Sequence, residues 1–178
     1  MQLAKVLVMC SLVGVGCFAQ DRPRNEASPK AVQRIEKKVR HELIMLPYFG
    51  VFDNIVYKVE GYNVTLLGQV SRPSLKSDAG NVVKKIEGVE KVDNQIEVLP
   101  LSGFDDGLRQ RLYRAIYGYA TLQKYSLGVN KPIRIIVKNG HVSLEGVVDN
   151  ENDKNIAALQ ANGVSGVFSV DNHLQVVK

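Results

Sequence analysis

Val64-Thr65-Leu66-Leu67-Gly68-Gln69-Val70 returns 78 positions later as Val142-Ser143-Leu144-Glu145-Gly146-Val147-Val148. Period-two alternation of branched aliphatic residues marks a half-buried strand, with Val64 and Leu66, or Val142 and Leu144, turned inward. The same offset holds on both sides. Downstream, Gly88-Val89 matches Gly166-Val167, Val92-Asp93-Asn94 matches Val170-Asp171-Asn172, and Ile96 and Val98 match Leu174 and Val176. Upstream, Ile55, Tyr57 and Val59 match Ile133, Ile135 and Val137. One offset held over more than forty positions reads as a duplication, and each copy is long enough to be a small domain of its own.

Each copy carries the same order of elements. Ser28-Pro29 is a helix start, followed by Val32, Ile35, Val39 and Leu43 at helical spacing. The second copy is expected to begin at Asp105 or Asp106 as cap, with Leu108, Leu112, Ile116 and Ala120 as its stripe. Two alternating strands follow, turned by Glu60-Gly61-Tyr62-Asn63 or Lys138-Asn139-Gly140-His141. A second helix spans Pro73 to Ile86, or Glu151 to Ala161 with Ile156, Ala157, Leu159 and Ala161 apolar. A last strand, Val92 to Val98 or Val170 to Val176, completes the unit. The expected class is α+β: two tandem αββαβ domains, each with two helices on a small three-stranded mixed sheet. The boundaries are 29–99 and 105–178, with 100–104 as linker. Gly68 and Gly146 mark either a close approach of helix or backbone, or a bulge. Asp93-Asn94 and Asp171-Asn172 are expected to shape the chain through side-chain bonds to the backbone. Tyr48-Phe49 and Val51-Phe52 read as core-filling segments before the first strand.

The chain has 178 residues and a formal net charge of +5, from 23 Lys plus Arg against 18 Asp plus Glu. A hydrophobic fraction of 45% suits a packed protein. No uninterrupted apolar run reaches the roughly 20 residues of a spanning helix, which excludes a multispan membrane protein. Charges of both signs are interspersed, so nothing announces nucleic-acid binding. Residues 1–19 read as a signal peptide: Lys5, then the apolar Val6 to Val15, then Cys17-Phe18-Ala19 with small residues at −3 and −1. Acylation at Cys17 is the other route, although Gly14 stands where a Leu-like residue is usual; it would anchor the protein. The two cysteines, Cys10 and Cys17, both lie in the leader, so the domains rest on packing and not on disulfides.

Two αββαβ copies behind a leader, each with a V-T/S-L-x-G-x-V strand and a G-V-x-x-V-D-N segment, resemble the BON domain family, the bacterial osmoregulation-and-nodulation domains. The resemblance covers Pro29 to Leu99 and Asp105 to Val177. The sequence departs from it in Pro47-Tyr48-Phe49-Gly50, in Ser71-Arg72-Pro73, and in a longer region before Lys131-Pro132. The resemblance implies a Gram-negative envelope protein, membrane or phospholipid association, a role in stress tolerance, and no catalysis. It also implies contact with anionic phospholipid through the first helix of the second copy.

That helix carries Arg109, Arg111 and Arg114 together with Tyr113, Tyr117 and Tyr119. Tyr113 and Tyr117 are one turn apart and share a face. Tyrosine suits a headgroup boundary and arginine attracts phosphate, each cation near an anionic surface contributing about 1 kcal/mol. Arg109, Arg111, Tyr113, Arg114 and Tyr117 are therefore the expected lipid-binding residues, with the tyrosines packing on the other domain as the competing reading. No nucleophile, phosphate loop or metalloprotease motif is present, and no cofactor is expected. His141 and His173 face away from the core and could meet across the sheet, but two histidines make a thin metal site. The expected partner is an anionic phospholipid surface in the periplasm, at the outer membrane if Cys17 is acylated. The alternative is a soluble periplasmic osmotic-stress protein that binds unfolded clients or an envelope protein.

Overall fold

A computed structural model describes residues 27–128 and 130–177; the leader 1–19 and Cys17 lie outside the described residues. In the first domain, α1 (Pro29–Ile44) starts at Ser28, whose Oγ accepts from Ala31 N at 3.3 Å. Its Ile35, Val39 and Leu43 are buried. β1 (Asn54–Glu60) and β2 (Asn63–Val70) form an antiparallel hairpin with Tyr57 opposite Leu66. α2 (Pro73–Lys84) crosses to β3 (Lys91–Asn94) and β4 (Glu97–Val98), both parallel to β2. The second domain repeats this as α3 (Gly103–Tyr117), a 3₁₀ segment (Ala120–Ser126), β5 (Ile133–Lys138), β6 (His141–Val148), α4 (Glu151–Asn162), β7 (Ser169–Asn172) and β8 (Gln175–Val176). The α+β class and the two tandem units stand.

Each sheet has four strands where three were expected, because the last strand is divided. Leu66 pairs with Asn94 and Gln69 with Glu97 at one register, so β3 and β4 are a single strand interrupted at Gln95-Ile96. Asn94 causes the break. Its Oδ1 accepts from Ile96 N at 3.3 Å while its Nδ2 donates to Lys76 O at 2.7 Å, turning Ile96 into the core. Asn172 repeats this with Leu174 N at 3.2 Å and Lys154 O at 2.9 Å. The two asparagines thus shape the chain as expected, whereas among the described residues Asp93 bonds only to the side chain of Gln95, accepting from its Nε2 at 2.6 Å.

Gly68 and Gly146 take the close-approach alternative. The β1–β2 ladder runs without a bulge through Gly68, and the β5–β6 ladder ends in register on the pair Ile133–Gly146. Their φ angles are +109° and +115°, and a Cβ would meet the carbonyl oxygens of Asn54 and Pro132 at 2.1 and 1.9 Å.

Three details differ from the sequence reading. α3 is capped by Ser102, whose Oγ accepts from Asp105 N at 3.2 Å, so Gly103 and Phe104 leave the linker for the helix. Asp105 is buried and accepts instead from Asn139 N at 2.8 Å and Gly140 N at 2.9 Å, fastening the β5–β6 turn. Ala120 lies beyond the helix, which stops at Tyr117, and is exposed. Leu159 faces solvent because small residues, Ala157 and Ala161, form the buried face of α4.

Each domain has its own core. Of the segments expected to fill the core, Phe49 packs on that of the first domain, Tyr48 is exposed, and Val51 and Phe52 join the core of the second domain. Val51 O accepts from Ile135 N at 2.8 Å, and Gly50 O accepts from Arg134 Nη1 at 2.8 Å. The Arg134 guanidinium lies 4.6 Å from the centre of the Phe49 ring. The two domains are therefore joined through the loop before β1.

Candidate functional site

The structure separates the five residues that the sequence grouped on α3. Arg109 is 4% exposed and pairs with Asp106, and its Nη2 donates to Val137 O at 2.7 Å. Tyr117 is equally buried. Its hydroxyl donates to Ile133 O and accepts from Ile133 N at 3.2 Å. Burial pushes this phenol well above the usual tyrosine range, against the opposing effect of the Ile133 bond. Tyr113 is half-buried between Tyr117 and Phe52 of the first domain, the packing that the competing reading anticipated. Arg111 and Arg114 are exposed. The expectation of one shared surface face is thus corrected for Arg109 and Tyr117, which no headgroup reaches in this conformation.

Their burial has a physical cause. β5 pairs with β6 on one side only, so Ile133, Ile135 and Val137 present backbone groups on the other. Unpaired groups at that edge must be satisfied once covered. Tyr117 serves Ile133, Val51 serves Ile135 and Arg109 serves Val137. α3 is thereby used to finish the sheet. Among the described residues Arg109 Nε has no partner.

The exposed face of the same helix end gathers other residues. Phe104 is 50% exposed and stacks on Phe168, 69% exposed, with ring centres 6.3 Å apart. A Cβ on Gly166 would lie 3.3 Å from Phe104 Cζ and 3.4 Å from Arg111 Nη2, so ring tip and guanidinium converge above that glycine. A Cβ on Gly140 would lie 2.7 Å from the Phe168 ring. Both rings therefore rest on bare backbone. Phe104, Gly107, Arg111 and Arg114 follow at three- and four-residue steps along α3, one side of the helix. The result is an aromatic pair with Arg111 beside it, open to the outside, and with Arg114 exposed further along the same side of the helix. The helix stripes align Leu108, Leu112 and Ile116 with Ile35, Val39 and Leu43, which sets Phe104 against Ala31; the strand offset sets Phe168 against Glu90. The first domain has no such pair.

Elsewhere the polar clusters are structural. Tyr125 OH donates to Asp153 Oδ2 at 2.6 Å and accepts from Asp149 N at 2.8 Å, while Lys124 Nζ lies 2.6 and 2.8 Å from Asp149 and Asp153. The cluster ties the 3₁₀ segment to the start of α4. The Lys124 bond holds the Asp149 carboxyl below its ordinary value. For Asp153 the largest single effect is burial, which raises it, but Lys124, Tyr125 and Asn150 together outweigh this and the group is lowered. A depressed carboxylate stabilises the fold above the unfolded value near 4 and loses that contribution as pH falls through the folded value. Lys124→Met is therefore expected to lower the urea midpoint at pH 6 and to approach wild type as the pH falls through the depressed values of the two carboxyls. A constant gap across the acid range would contradict this.

His141 and His173 line an open cleft with Glu97 and Lys138, where the two domains meet. Lys138 Nζ and Glu97 Oε1 are 2.6 Å apart across it. His141 Nδ1 is occupied by Ser169 Oγ at 2.8 Å. Among the described residues, no group of three or more His, Cys, Asp or Glu is placed to hold a metal ion, and no helix is long and apolar enough to cross a membrane.

A family model described as BON domain matches residues 31–100 and again 105–178. No curated protein matches the chain. Among solved structures, one of CdsD, a structural protein of the type III secretion system of Chlamydia trachomatis, is similar over 80% of this chain and 92% of that one, at 12% identity and a TM-score of 0.30. A structure of the C-terminal domain of the same protein covers 80% and 96%, at 13% identity and 0.28. Likeness at that level carries no function across.

Proposed function

The chain belongs to the BON domain family, and from that premise we propose that it is a non-enzymatic, exported envelope protein that associates with anionic phospholipid through one end of its second domain. Its role on this reading is to support envelope integrity or stress tolerance. It works in the periplasm, and acylation of Cys17 would hold it at the outer membrane.

The observation that carries the proposal is the exposed Phe104–Phe168 pair with Arg111 beside it. Two adjacent rings in water are unfavourable, and burying one such side chain stabilises by about 1.5–3 kcal/mol. At a headgroup boundary the rings enter the apolar region while Arg111 and Arg114 meet phosphate at about 1 kcal/mol each. That sum gives reversible attachment. The BON family is associated with membrane or phospholipid binding, which agrees with this chemistry.

Co-sedimentation with phosphatidylglycerol and phosphatidylcholine vesicles tests it. Wild type is expected to pellet with the anionic vesicles. The double variant Phe104→Ser/Phe168→Ser, and separately Arg111→Glu, should each weaken pelleting by about tenfold, the equivalent of 1.4 kcal/mol. Equal pelleting of wild type and both variants sinks the site. A wild type that ignores anionic vesicles sinks the lipid reading and turns attention to the soluble stress protein with unfolded clients or an envelope partner.

A further inference from the structure

Two stretches of the first domain that depart from the family pattern, Pro47-Tyr48-Phe49-Gly50 and Ser71-Arg72-Pro73, come together in the fold. The Arg72 guanidinium lies 5.0 Å from the centre of the Tyr48 ring. Tyr48 holds φ +66°, a strained conformation for a bulky side chain that persists only where the surrounding structure imposes it. Asp53 ties the two stretches to each other, accepting from Gly50 N at 3.0 Å and from Ser71 N at 2.7 Å. Arg72 also occupies the N-cap of α2 and makes no side-chain bond there. Its counterpart 78 positions on is Asn150, which caps α4 by accepting from Asp153 N at 2.8 Å. The start of α2 is thus left without a side-chain acceptor and has a cation standing at it. Helix end and guanidinium carry the same sign of charge, and an anion placed between them would satisfy both.

Arg72 lines a cleft of about 390 Å³, a size suited to a small molecule. Asp106, Arg109 and Gln110 of α3 line it as well, and Phe52 and Leu101 give it an apolar portion. Arg109 is the buried member of this set. Its Nη1 is taken by Asp106 and its Nη2 by Val137 O, while its Nε has no acceptor among the described residues. A buried donor without a partner is uncommon in a folded protein and marks a place where an acceptor is missing. Arg72 and Arg109 against Asp106 leave the lining with one positive charge in excess. Asp106, Arg109 and Gln110 follow at three- and four-residue steps on the side of α3 away from Phe104 and Arg111, so the cleft is separate from the lipid site.

We infer that this cleft binds a small organic carboxylate, with the anionic group between Arg72 and the start of α2 and the apolar part against Phe52 and Leu101. Arginine takes a carboxylate through two parallel bonds, and the first N–H groups of a helix favour an anion. Pro73 has no N–H, so Ser74 N is the first such donor of α2. Gln110 adds an amide from the opposite wall. A singly charged group matches a lining with one positive charge in excess, whereas a doubly charged phosphate would bring surplus negative charge beside Asp106. The inference does not rest on the lipid reading.

Backbone amide NMR shifts of the isotope-labelled full protein decide it, with isovalerate as the probe. Isovalerate is expected to shift the Ser74, Leu101 and Gln110 amides saturably. Isovaleramide, which lacks the charge, and inorganic phosphate should each bind at least about tenfold more weakly. Arg72→Asn installs the cap that Asn150 supplies in the second domain, so it should weaken isovalerate binding at least about tenfold while leaving the thermal midpoint equal or higher. Gln110→Glu, a second variant at an exposed position, should weaken it in the same direction. Pelleting of Arg72→Asn with anionic vesicles should match wild type, because the two sites lie on different sides of α3. The absence of a saturable shift with isovalerate overturns the inference, as does equal binding of isovaleramide or of phosphate, or binding that survives Arg72→Asn. Loss of vesicle pelleting in Arg72→Asn overturns it too, since the cleft would then hold a lipid headgroup and not a free carboxylate.

Discussion

Gly146→Ala is expected to cost the protein about 3–5 kcal/mol, read from urea denaturation of the purified chain. Two effects add. The residue holds φ +115°, a conformation whose penalty for a side chain is about 1–3 kcal/mol. The new Cβ would also be placed 1.9 Å from Pro132 O, and that oxygen is backbone, so the strand itself must yield; forced overpacking of this sort costs about 1–3 kcal/mol. Gly68→Ala meets Asn54 O at 2.1 Å in the same way. The two substitutions should therefore resemble each other in effect while acting on different domains. A loss under about 1 kcal/mol at Gly146 would show that β5 can move aside and that the close approach is not obligatory.

Asp105→Ala is the second large effect. The carboxylate is fully buried and accepts from the backbone N–H groups of Asn139 and Gly140. Both belong to a turn held at positive φ, 52° and 80°. Truncation leaves two donors out of water and without partners, each costing about 1–3 kcal/mol. A loss of about 2–5 kcal/mol in the same urea measurement is expected. Asp105→Asn keeps an acceptor for one of the two and should fall between. A neutral Asp105→Ala would mean that water replaces the carboxylate and that the turn does not depend on α3.

The duplication made the fold legible, because a repeated pattern constrains each element twice. The strand of Val64, Leu66 and Val70 could be checked against Val142, Leu144 and Val148, and all six are buried. The role of Asn94 was readable for the same reason, since Asn172 stands at the same offset. Arg109 and Tyr117 were not readable in this way. A helix wheel places them beside the apolar stripe, but it does not say that the adjoining strand lacks a partner on that side, and this decides whether a polar head goes to solvent or to a backbone carbonyl. Phe104 and Phe168 were missed because they meet only in the folded domain. A signal existed: where one copy carries Ala31 and Glu90, the other carries two phenylalanines. An aromatic gained at a small or charged position of a duplicated fold points to a surface with a use of its own.

The bond from Ile135 N to Val51 O has one more consequence. The second domain finishes its edge with a segment that it does not contain, whereas among the described residues no backbone of the second domain bonds to β1 of the first. Structural dependence thus runs from the C-terminal half to the N-terminal half. A chain made from its N-terminus presents the lender before the borrower. Synthesis order and assembly order coincide, and the later half emerges beside a loop already able to cover its strand.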